Sequence, residues 1–114
     1  ALIHDLGDDL APANHSQLAS TIIRPYVREE VTWIIAMHGL FQMFYFGPED
    51  YQGEDIGINK SLRENYRDHK WFASCDRFCR DWDQMSFDPD YPTKTIDYFR
   101  PLINENFSRQ KRQI

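Results

Sequence analysis

Cysteine, glycine and basic residues are all scarce in this chain, and each shortage removes a class of protein. Only two of the 114 residues are cysteine, Cys75 and Cys79, four apart and without further thiol or imidazole ligands nearby. That excludes a disulfide scaffold and a thiolate zinc site, and leaves both as small buried apolar residues of a reducing compartment. No apolar run approaches the roughly 20 residues needed to cross a bilayer, and no signal peptide opens the chain. A soluble cytoplasmic protein is expected, with any targeting segment lying before Ala1. Thirteen bases against 18 acids give a net charge of -5 with no basic stripe, which removes nucleic acid as a standing partner. The one basic cluster, Arg109, Lys111 and Arg112, reads as a solvated helix end. No G-x-S-x-G elbow or phosphate-cradling glycine loop occurs, so serine-type hydrolysis and nucleotide binding lose their usual motifs. Alternating strand patterns, repeats and low-complexity tracts are also missing, which leaves an all-α domain.

What the sequence does contain is a set of hard-metal ligands at inward-facing positions. Ala1-Leu2-Ile3 is an apolar run that reads as the last turn of a helix begun upstream, and it delivers His4 and Asp5 before Gly7 closes it. Asn14 is placed to cap a second helix, in which His15 shares a stripe with Leu18, Ile22 and Tyr26 until Pro25 stops it. A third helix opens with Glu29 and Glu30. Val31, Ile34 and Ile35 precede His38 by seven, four and three residues, so His38 lies on the apolar stripe, with Gly39 beside it suggesting a close backbone approach.

Residues 48–60, bounded by Gly47-Pro48 and rich in acids and glycine, read as a loop or lid with Gly47, Gly53 and Gly57 as hinges. Ser61-Leu62-Arg63-Glu64 is a capping-box signature for a helix whose apolar side holds Trp71, Phe72, Cys75, Phe78, Cys79 and Trp82. Asp83 follows at a phase that buries it, and a buried carboxylate needs a partner. Thr95 opens a last amphipathic helix with Ile96, Phe99, Leu102, Ile103 and Phe107. His69, in a polar stretch, reads as a surface residue, and Asp8, Asp9, Asp81 and Asp88 as solvated or capping.

A single histidine on an apolar face is more often a hydrogen-bonded core residue than a ligand. Several helices that each bury one ligand-type side chain are a different matter, because each burial costs several kcal/mol unless a shared charge offsets it. A divalent cation held by His4, Asp5, His15, His38 and Asp83 supplies that charge. Imidazole and carboxylate without thiolate select Fe, Mn, Zn or Mg.

These residues resemble the HD-domain superfamily, whose ligands run His, then His-Asp, then two single histidines and a distal Asp on successive helices. The resemblance covers nearly the whole of residues 1–114 as a single domain. His4 and Asp5 match the paired motif, His15 and His38 the single histidines, and Asp83 the distal aspartate. The family's first histidine has no counterpart, so an HD-type helical bundle of five helices, lacking its first helices, is expected. The resemblance implies two divalent transition metals, with iron expected first, Asp5 and His38 as catalytic residues, and a small-molecule substrate.

Two chemistries compete within the family. Trp82-Asp83, the following acid Asp88 and the Pro-rich turn are similar to the tail of the phosphonate-cleaving di-iron oxygenases, which points to oxygenative cleavage of a hydroxylated phosphonate or polyol. Asp8, where many members carry a cation, disfavours a bound phosphate. Metal-dependent phosphohydrolysis is the alternative, with Lys60, Arg63 or Arg67 as phosphate contacts. A non-catalytic scaffold that binds a partner is the second alternative.

Overall fold

The computed structural model describes residues 2–45 and 62–113. Among them are four α-helices and no strand: α1 (His15–Ile23), α2 (Glu29–Tyr45), α3 (Phe72–Phe78) and α4 (Ile96–Phe107). The all-α expectation therefore holds, and no helix of the described residues is long and apolar enough to cross a membrane. The expected lid at 48–60, its hinges and Ser61 lie outside the described residues.

α2 is the central element because it is apolar on more than one side. One side of it buries Ile35, which clusters with Ala19 and Ile23 of α1. The other buries Phe41 against Phe72, Cys75 and Cys79. Each fully buried side chain of this size contributes about 1.5–3 kcal/mol of burial free energy. The glutamates of its first turn match the helix dipole, and Glu30 also accepts a hydrogen bond of 2.9 Å from Ser74 of α3.

α1 meets α2 along small residues. Its buried positions are Ser16, Ala19, Ser20 and Ile23, while Ile22 is exposed. The expected inward stripe of His15, Leu18, Ile22 and Tyr26 is thus displaced by one residue. The reason is the crossing itself: a Cβ on Gly39 would lie 2.7 Å from the Ser16 hydroxyl, so the helices approach where both carry little bulk. Pro25 acts as expected, with α1 ending at Ile23. Asn14 occupies the N-cap position but makes no side-chain cap bond.

The N-terminal segment differs from a helix end. Residues 2–10 form successive tight turns, with Leu6 N–H donating to Ile3 O at 3.1 Å and Asp8 N–H to Asp5 O at 3.0 Å. They are seated by Gly7, where a Cβ would come within 2.7 Å of Leu18 Cδ2.

The segment after residue 61 is also more broken than a single helix. A 3-10 turn at Arg63–Tyr66 leads through further turns into α3, which widens into a π-helical turn at Cys79–Asp83 and ends in a 3-10 turn at Gln84–Phe87. The break before α3 has a cause in His69, which stacks on Trp33 with ring centroids 4.0 Å apart and planes 3° from parallel. His69 is therefore a packing residue, not a surface one. Trp82 is half exposed, since the widened turn carries it off the apolar side.

α4 stands apart, held by Phe107 against Tyr26 and by Arg112, whose guanidinium donates to the Arg24 carbonyl at 2.9 Å. An apolar groove of about 420 Å³ separates α4 from the α1–α2 corner, lined by Ile23, Val31 and Phe99 among others. None of the five expected ligands lines it, so the chemistry lies elsewhere.

Candidate metal centre

All five residues singled out by sequence converge on one region. His15 enters as the first residue of α1, His38 from the middle of α2, and Asp83 as the last residue of the π-helical turn. His4 and Asp5 come from the N-terminal turns. Widened π turns recur at functional sites because they re-aim a side chain without ending the helix, and here the turn ends on a carboxylate that is only 6% exposed.

Donor atoms of His4, Asp5 and His38 lie within 4.8 Å of one another. Asp5 Oδ1 stands 3.1 Å from His38 Nε2 and 3.3 Å from His15 Nε2, and those two nitrogens are 3.2 Å apart. The other Asp5 oxygen, Oδ2, is 3.1 Å from His4 Nε2, which is in turn 3.0 Å from Asp83 Oδ1. Asp5 thus divides its two oxygens between two groups: His15 with His38, and His4 with Asp83.

Protonation decides what the first group can be. His38 Nδ1 donates to the Ile35 carbonyl at 2.6 Å. His15 Nδ1 donates to the Pro12 carbonyl at 3.2 Å. A carbonyl can only accept, so each neutral ring carries its lone pair on Nε2. Burial holds the His38 pKa below its ordinary 6.5, against the opposing hydrogen bond to Ile35, so that ring is kept neutral. With both rings neutral, three lone-pair atoms, two imidazole nitrogens and a carboxylate oxygen, face one another at 3.1–3.3 Å.

A cation resolves that conflict. Metal–ligand bonds of about 2.0–2.2 Å place adjacent ligands about 3.0–3.5 Å apart, and the three separations of 3.1, 3.2 and 3.3 Å fall within that range. The donor set fits a hard or borderline divalent ion. The nearby thiols do not join it. Cys79 donates to the His38 carbonyl at 3.5 Å, and the hydrogen bond with Cys75, followed by burial, pushes its pKa far up, so it stays a thiol.

The two backbone carbonyls give the histidines the outer support that metal-bound imidazoles need. Asp8 adds a carboxylate 3.9 Å from His15 Nδ1. The side chain of Asp5 is 55% exposed, so the centre opens to solvent on that side, whereas His38 is only 1% exposed.

Gly39 fixes the His15–His38 spacing. Gly39→Ala gains about 1 kcal/mol of helix propensity and loses about 1–3 kcal/mol to overpacking against Ser16, so its net effect on stability runs from neutral to a loss of about 2 kcal/mol. Its effect on the centre is more direct: α1 must retreat, taking His15 with it, and metal affinity is expected to fall by about tenfold or more. Calorimetric metal titration of Gly39→Ala and of Gly39→Ala/Ser16→Ala checks this. The second change removes the clashing hydroxyl and should restore most of the affinity.

Two features escaped the sequence reading. His69 gave no local sign of its stack on Trp33, a residue 36 positions away. Gln42 is buried with its amide unpartnered among the described residues, and only its place one turn after His38 hinted at a polar residue on the inward side. Comparison of the chain with family models, curated proteins and solved structures finds no match.

Proposed function

We propose that the chain is a metal-dependent enzyme of HD-domain type, in which a dinuclear transition-metal centre, iron first, cleaves a small hydroxylated substrate, a phosphonate or a polyol, with O2. The observation that carries the metal reading is the close approach of three ligand-type atoms, Asp5 Oδ1, His15 Nε2 and His38 Nε2, to within 3.1–3.3 Å of one another. The division of the Asp5 oxygens supports two ions: one held by His15, His38 and Asp5, the other by His4, Asp83 and Asp5. Iron bound there supplies O2 activation and Lewis-acid binding of substrate hydroxyls.

The protein's own part is positional. The Ile35 and Pro12 carbonyls hold the His38 and His15 rings with Nε2 directed at the centre. Buried Asp83 stands 3.0 Å from His4 Nε2 and completes the second half of the centre with it. Asp5 joins both halves and faces solvent, which leaves substrate an approach on that side.

The oxygenase is favoured over a phosphohydrolase by the fate of the basic residues. Arg63 is buried with its guanidinium 3.3 Å over the Phe44 ring and bonded to Asp76 at 2.7 Å. Arg67 is committed to both oxygens of Glu64, at 2.6 and 2.8 Å. Arg63 is thus taken up by other partners, Lys60 lies outside the described residues, and Asp8 beside His15 repels a phosphate or a phosphonate alike, which favours a polyol as the substrate.

The test is reconstitution with iron under anaerobic conditions, followed by incubation with pools of hydroxyphosphonates and polyols. About two ions per chain and turnover only with O2 are expected. Phosphate release indifferent to O2 would make the protein a hydrolase. Failure to take up metal would leave a partner-binding scaffold.

A further inference from the structure

Gln42 is 9% exposed, and neither its Nε2 nor its Oε1 meets a hydrogen-bond partner among the described residues. Buried amides are otherwise almost always paired. Its position is equally specific. At about 100° per residue, Gln42 lies on the arc of α2 between His38 and Gly39, the arc that meets His15 and Ser16 of α1. Ile35, two turns earlier on the same arc, clusters with Ala19 and Ile23, so α1 runs antiparallel along this line and Gln42 lies level with its start. Phe41, one residue before, belongs to the opposite cluster with Phe72 and Cys79.

The unmet groups define a ligand. A carboxamide left open offers one acceptor and two donors, and a hydroxyl satisfies both kinds by giving its proton to Oε1 and accepting from Nε2. The phosphoryl group of a phosphomonoester dianion has no proton to give Oε1. We propose that Gln42 is a specificity-determining residue of the metal centre, which reads a hydroxyl group of the substrate and so selects polyols and hydroxy acids over anions of equal charge without one. This rests on the metal-dependent reading above.

Glycolate and acetate are suitable probes, since they share a charge and differ in one hydroxyl. Any chelation of metal by that hydroxyl is common to wild type and variant, so it cancels when the two are compared. Titrated calorimetrically into the anaerobic iron-loaded protein, glycolate should bind wild type more tightly. In Gln42→Leu the glycolate-to-acetate affinity ratio should fall about tenfold, the size of one buried hydrogen bond, with iron uptake unchanged. The metal-free variant should also melt a few degrees higher, because an unsatisfied amide has been replaced by an apolar side chain. Gln42→Met serves if the leucine variant does not fold.

An unchanged ratio, a lowered melting temperature that reveals a protein partner for the amide, or a wild type that holds iron and binds neither probe each overturns the role of Gln42 alone. A wild type that takes up no metal overturns the metal centre and Gln42's role together.

Discussion

Asp5→Asn is expected to abolish metal binding while leaving the metal-free protein as stable as before, or slightly more so. The two effects have opposite signs because Asp5 Oδ1 stands among acceptors when the His15 and His38 rings are neutral. Its Oδ1 faces the lone pairs of His38 and His15 at 3.1 and 3.3 Å, and its Oδ2 faces His4 at 3.1 Å. With the His38 and His15 protons on Nδ1, Oδ1 meets no donor from those rings, and an asparagine amide can donate to one of the two nitrogens, adding a hydrogen bond worth about 0.5–1.5 kcal/mol. For metal the change would be a loss on both halves of the proposed centre, since the one carboxylate that would serve both ions is gone. Outer-sphere partners alone are worth about 10–100-fold in metal affinity, so a shared ligand should cost more than a hundredfold, and O2-dependent turnover should disappear with it. Metal analysis beside thermal denaturation of the metal-free variant reads both effects. If Asp5 were a plain structural carboxylate, the variant would melt lower and no metal would have been present to lose.

The sequence displayed this centre better than it displayed the helices around it. His38 was legible because three apolar residues at helical spacing fix its phase, and it is 1% exposed. Asp83 was legible by the same reasoning, although the π-helical turn that delivers it was not. Such a turn is a tertiary compromise between the packing of Cys79 under α2 and the reach of Asp83 to His4. The stripe on α1 was misplaced because periodicity favours large apolar residues. The crossing instead selected Ser16, Ala19 and Ser20, which let two backbones come together at Gly39. His69 and Arg63 were missed for a related reason. Their burial depends on Trp33, Phe44 and Asp76, which lie far away in the chain, and nothing in their own polar neighbourhoods announces it.

Withdrawing the metal should cost as much stability as a severe core truncation. An ion present at about a thousand times its dissociation constant adds about 4 kcal/mol to the folded state, comparable with the 2–5 kcal/mol typical of emptying a large core side chain to alanine. For a domain of this size each kcal/mol moves the midpoint by about 4 °C, so chelation should lower it by about 15 °C. The metal-free protein should also acquire an acid sensitivity whose sign follows from His38. Burial holds its folded pKa below 6.5, so as pH falls the unfolded chain binds the proton first. Stability then drops from about pH 6.5 downward and levels off once the folded-state pKa is passed. Bound metal occupies the same Nε2 and competes with that proton, so the loaded protein should hold its midpoint further into acid before it releases the ion. Thermal denaturation with and without chelator at about pH 7.5 and about pH 5.5 separates these effects. A midpoint that ignores the chelator at both would mean that the five side chains hold no ion.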